Sequence, residues 1–126
     1  MSEPQVLRSA AYFPVASVAP TVAYYERVFG FRTEYLGGDQ FAIVSRDGYP
    51  LMFRRVESPD HIRPSEAQGG TWDAFFWVRD ARALHEELVS RGADVVYGPI
   101  VQEAYQMLEL AVRDPDGHVL GFGQAL

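Results

Sequence analysis

The feature that most constrains this chain is an internal repeat. A strand ending at Val15, a helical stretch from Pro20 to Phe29 and a terminal Gly30 recur as a strand ending at Val78, a helical stretch from Ala81 to Arg91 and Gly92. The spacing is about 62 residues, and more strands follow the glycine in each copy. This pattern predicts an α+β fold of two tandem βαβββ modules whose open curved sheet surrounds a cup. The chain, residues 1–126, reads as a single domain. Module one covers about residues 5–56, a linking loop 57–70 and module two about 71–126.

Local signals support the helices. Pro20 suits a first helical turn, where its missing N–H would have no partner anyway. Asp80 can cap the second helix, and Gly30 and Gly92 can take the left-handed conformation that ends one. Leu84 and Leu88 share a face, as do Tyr24 and Val28. Alternation predicts strands at Leu7–Val15, Phe31–Leu36, Phe41–Ser45 and Leu51–Val56, then at Thr71–Val78, Asp94–Tyr97, Tyr105–Arg113 and His118–Gly123. Two prolines and two glycines mark the linking loop, which has the length of a lid.

Alternation also assigns faces. The helix of module two needs an apolar floor, supplied by Leu108, Leu110, Val112, Leu120 and Phe122. Tyr105, Met107 and Glu109 then face the cup. With Ala74, Phe76 and Val78 under the helix, Asp73, Phe75 and Trp77 face the cup too. Module one contributes Tyr12, Met52 and Arg54. These nine residues are the candidate ligand-binding set: an aromatic surface with two carboxylates and one arginine. Packing is the competing reading, with Asp73 and Glu109 paired to Arg54 or turned to solvent.

Three stretches, in this order, resemble the vicinal oxygen chelate superfamily of glyoxalases, bleomycin-resistance proteins and dioxygenases. They are Val22–Phe31 with its Tyr24-Tyr25 and Phe29-Gly30-Phe31, Phe75–Asp80 followed by Leu84 and Leu88, and Asp114-Pro115-Asp116-Gly117-His118. The resemblance implies the glyoxalase/bleomycin-resistance fold and a homodimer. It also implies divalent-metal ligands at positions that fall here on Ala10, Met52, Asp73 and Gly121, a set unable to hold such a cation. No metal, no other cofactor and no catalytic residue is therefore expected. His61, His85 and His118 have no ligand spacing, with His85 expected at the surface of its helix. The chain contains no cysteine, and no serine lies in a recognisable nucleophile elbow.

Charge and composition narrow the partners. A net charge of -6 argues against nucleic acid and favours cationic small molecules. No apolar run is long enough to span a bilayer, and Met1–Val6 has no apolar core of a secretory signal, so a cytoplasmic location is expected. Within the superfamily the chain looks most like the metal-free bleomycin-resistance branch, which implies a small-molecule-binding protein that sequesters a cationic, planar drug or metabolite. A metal-dependent or metal-free lyase, isomerase or dioxygenase stays open as the alternative, as does a dimeric scaffold.

Overall fold

The computed structural model describes residues 3–126. The first two positions of the expected domain, and of the segment read for a secretory signal, lie outside them. Each copy of the repeat folds as a strand, a helix and three strands. The first comprises β1 (Ala11–Val15), α1 (Val18–Phe29), β2 (Arg32–Gly37), β3 (Phe41–Arg46) and β4 (Tyr49–Arg55). The second comprises β5 (Ala74–Trp77), α2 (Ala81–Ser90), β6 (Asp94–Gln102), β7 (Met107–Arg113) and β8 (Val119–Ala125). Each makes its own four-stranded sheet, in the orders β1-β4-β3-β2 and β5-β8-β7-β6. β1 and β5 pair parallel to the last strand of their sheets, and the other pairings are antiparallel.

The helices form where the caps allow. Asp80 Oδ1 accepts the Ala83 amide at 3.0 Å, as expected of an N-cap. α1 starts two residues ahead of Pro20 and has no side-chain cap from Ser17; the Val18 amide donates instead to Asp39 Oδ1 at 3.2 Å. Gly30 closes α1 in the left-handed region at φ 73°, with its amide on the Tyr25 carbonyl.

Both helices press the inner faces of their sheets into one core. Phe13, Val15, Val44, Leu51 and Phe53 come from sheet one, and Leu108, Leu110, Val112, Leu120 and Phe122 from sheet two, as alternation predicts. The modules meet through this side. Phe13 stacks on His118 with centroids 4.4 Å apart, and Phe31 meets Phe76 edge-on at 6.1 Å. The Tyr25 hydroxyl donates to Asp114 Oδ2 at 2.7 Å, and Arg46 forks onto Glu87 at 2.7 and 2.8 Å. His118, at the head of an expected strand, is thus only 2% exposed. His85 is half-buried, deeper than a surface position, and His61 is exposed.

Strand boundaries differ from those expected by one to five residues, and four of the differences have a local reason. Residues 7–10 run unpaired ahead of β1, because the Arg8 guanidinium turns back onto Glu34 at 2.7 and 3.0 Å and the Gly48 carbonyl at 3.3 Å. β5 begins only at Ala74, since the Asp73 side chain bonds the start of β8. β6 continues past Gly98-Pro99 to Gln102: it is an edge strand, where a proline without an N–H is tolerated, and its register shifts there. Tyr105 lies in the turn before β7, in which Gln106 takes φ 55°.

The linking loop is folded rather than loose. It forms two short 3-10 turns, Pro59–His61 and Ser65–Gln68. The Ser65 amide donates to Asp73 Oδ1 at 2.9 Å, and Arg113 forks onto Glu66 at 2.8 and 3.0 Å. This second half is fastened to module two.

Candidate ligand-binding face

Because the helix sides of both sheets are consumed by the shared core, the opposite faces remain open. Residues directly across paired strands share a face. On sheet two, one row reads Phe75, Gly121, Ala111, Tyr97 and the next Trp77, Gly123, Glu109, Ile100. On sheet one the corresponding row reads Tyr12, Met52, Ile43, Tyr35, with Arg54 one step along between Pro14 and Phe41. Trp77 is 76% exposed and Tyr12 54%. The candidate residues therefore fall into two groups on two sheets. Among the described residues no hydrogen bond, ion pair or ring contact joins Tyr12, Met52 or Arg54 to the others. A cavity of about 460 Å³ follows the seam between edge strands β1 and β5, lined by Ala10, Tyr49, Leu51, Ala74, Phe75 and Trp77 among others.

Sheet two carries the richer chemistry. Its floor is glycine, which lets rings lie flat on the backbone. A Cβ on Gly121 would sit 2.6 Å from Trp72 Cδ1 and 2.7 Å from Phe75 Cδ1; one on Gly123 would meet Met107 Cε at 2.5 Å and Phe75 Cζ at 2.7 Å. Trp72, Phe75 and Trp77 form a continuous aromatic run, with centroids 4.6 and 5.1 Å apart.

Beside these rings lies a carboxylate. Glu109, in the middle of β7, is 0% exposed. It accepts hydrogen bonds from two phenols: Tyr97 on Oε2, and Tyr105 on Oε1 at 2.7 Å. Tyr97 in turn accepts the Trp72 indole N–H at 2.8 Å. Loss of water and the bond to Glu109 raise both phenols, Tyr105 to about 12. Among the described residues no arginine or histidine pairs with Glu109, so the expected alternative partner, Arg54, does not neutralise it.

Asp73 departs from the expected geometry. Its carboxylate does not turn to the open face but accepts two backbone amides, Ser65 at 2.9 Å and Val119 at 2.8 Å. Trp72 takes the place on the face that alternation gave to Asp73. Trp72 and Tyr97 are the two site residues absent from the sequence reading. The signal for them was available in Gly121 and Gly123, since paired glycines in a central strand mark the close approach of something bulky.

The residues at the superfamily's metal positions do not fit a divalent cation. Ala10 and Gly121 have no donor, Met52 offers only a soft thioether, and both Asp73 oxygens are engaged by the backbone. The rings of Trp72 and Phe75 also cover Gly121. Among the described residues no three His, Cys, Asp or Glu side chains are placed to share a metal.

Comparison with known proteins agrees with this architecture. The family model described as Glyoxalase/Bleomycin resistance protein/Dioxygenase superfamily matches residues 8–122. Among solved structures, TioX from Micromonospora sp. ML1 is similar over 94% of this chain and 98% of its own, with 25% identity and a TM-score of 0.73. A bleomycin-binding protein from Streptomyces verticillus, crystallised with copper(II)-bleomycin, is similar over 98% of this chain and 99% of its own, with 24% identity and a TM-score of 0.71. UcmS2 covers 95% of this chain and 98% of its own at 18% identity and a TM-score of 0.74. No curated protein matches the chain. With two βαβββ modules in the expected order and a family match over nearly its whole length, the chain belongs to the glyoxalase/bleomycin resistance protein/dioxygenase superfamily.

Proposed function

We propose that this protein binds a planar, cationic small molecule, a drug or metabolite, on the open face of sheet two and sequesters it without catalysis. The observation that carries this reading is a half-open aromatic run, Trp72, Phe75 and Trp77, beside a buried carboxylate with no cation against it among the described residues. Rings of this kind attract a flat cation by stacking and by the negative potential of their faces. Tyr105, Met107 and Glu109 complete the face, and Tyr12, Met52 and Arg54 would contribute from sheet one of a second copy. A homodimer in which sheet one of one copy covers sheet two of the other would close the cup. The exposed arm ahead of β1, with Leu7 90% exposed, is available to reach that copy.

Tryptophan fluorescence tests the reading, because both tryptophans of the chain lie in the aromatic run. Proflavine, a planar cation, should quench saturably, and the planar anion 9-anthracenecarboxylate should do so only at much higher concentration. Equal quenching by both would remove the case for a cationic ligand. Elemental analysis separates this reading from the metal-dependent lyase, isomerase or dioxygenase alternative, which requires about one bound transition metal per chain.

A further inference from the structure

Two acidic side chains are fully buried among the described residues, and they are treated very differently. Asp114 has His118 Nδ1 at 3.1 Å, the Tyr25 hydroxyl and two backbone amides. Among the described residues the Glu109 side chain has two phenols and nothing else. A carboxylate stripped of water with no countercharge is costly, and phenol donors offset only part of that cost. Its position is also fixed, since β7 is paired to β8 through Gly123 and to β6 through Ile100.

The two phenols are not equivalent. Tyr97 is half-buried and held on its far side by the Trp72 indole. Tyr105 is exposed, sits in the turn between β6 and β7, and among the described residues its hydroxyl bonds only Glu109 Oε1. Rotating its side chain outward would break one hydrogen bond and open one carboxylate oxygen to the aromatic face.

We propose that Glu109 recognises an N–H-bearing cationic head group, an amidinium, guanidinium or primary ammonium, and that Tyr105 is a displaceable cover whose hydroxyl yields Oε1 to it. The proposal rests on the reading of sheet two as the ligand face. Recognition through Oε1 requires an N–H donor as well as charge, so a quaternary ammonium is discriminated against, as is a neutral amide of the same shape.

The test follows the Trp72 indole N–H resonance in the ¹⁵N-labelled full chain, assigned by its loss in Trp72→Phe. Benzamidine should shift it saturably. Benzamide and phenyltrimethylammonium should bind about tenfold more weakly or worse, as should benzamidine to Glu109→Gln. Tyr105→Phe, which removes the competing hydroxyl, should bind benzamidine several-fold more tightly. Undiminished binding to a folded Glu109→Gln, equal binding of benzamide, or weaker binding to Tyr105→Phe would each overturn the assignment. Should Glu109→Gln not fold, the Tyr105→Phe result and the benzamide comparison decide it alone. Proflavine quenching with no benzamidine shift would sink the role of Glu109 and leave the aromatic site standing; failure of both probes would remove both.

Discussion

The glycine floor of sheet two can be tested with one methyl group. Gly121→Ala would place a Cβ 2.6 Å from Trp72 Cδ1 and 2.7 Å from both Trp72 Nε1 and Phe75 Cδ1. Normal carbon contacts are nearer 3.5 Å or more, so the two rings must retreat by about 0.8 Å. Overpacking of that kind costs about 1–3 kcal/mol. Moving the indole also strains its 2.8 Å bond to Tyr97, worth about 1 kcal/mol. The added methyl restricts the unfolded chain and returns roughly 0.4–1 kcal/mol. The net loss is about 2 kcal/mol, which for a chain of this size is a fall in Tm of roughly 6–10 °C. Gly123→Ala should cost less, because part of its clash is with the terminal methyl of the unbranched Met107 side chain. Urea denaturation with near-ultraviolet circular dichroism measures both the stability and the tryptophan environment. A Gly121→Ala protein as stable as the parent, with an unchanged tryptophan signal, would show that the rings do not rest on the strand backbone.

Other expected outcomes follow from single contacts. Tyr25→Phe leaves buried Asp114 without its phenol donor and should cost about 1–3 kcal/mol in denaturant. Hydrogen bonding to Arg8 holds the Glu34 carboxyl down to about 2. Its contribution is therefore present above the ordinary glutamate value and lost as pH falls from about 4.5 toward 2. The difference in Tm between the parent and Arg8→Ala should be measurable at pH 6 and gone near pH 2. Tyr105, held up to about 12, should titrate closer to 10 in Glu109→Gln, read from phenolate absorbance in Tyr difference spectra against Tyr105→Phe. Light scattering at micromolar concentration should give about twice the chain mass of 14.1 kDa, and a monomer throughout would remove the proposed cup-closing copy.

Much of the fold was legible because burial leaves few choices. Leu108, Leu110 and Val112 could only lie under α2 if Met107, Glu109 and Ala111 lay on the other side, and they do. Asp80 and Gly30 mark helix ends because only a short acceptor and a residue tolerant of positive φ serve there. The open face was harder to read. Strand period fails where a side chain bonds the backbone, so Asp73 broke the alternation and hid Trp72. Gly98-Pro99 marks the expected end of a strand at Tyr97, although β6 runs on to Gln102 and holds Tyr97 within the sheet. The burial of Glu109 without a cation is invisible to any local pattern, since it depends on rings brought from β6, the 103–106 turn and the residue before Asp73.

The two modules share a plan but not a chemistry, and the difference follows from which face each must bury. The helix sides of both sheets are held to apolar residues by the common core, so the repeat persists there: Phe13 and Phe76, Val15 and Val78, Leu51 and Leu120. The outer faces carry no such demand. On sheet one that face presents Tyr12, Met52, Ile43 and Arg54; on sheet two it presents aromatic rings on glycine, with the Glu109 carboxylate beneath the Tyr97 and Tyr105 hydroxyls. Duplication of one apolar pattern thus leaves two surfaces free to differ in sign and shape. Under the proposed function, a ligand between these unlike surfaces would be oriented, with its cationic end toward sheet two, whereas two identical faces would hold it in either sense.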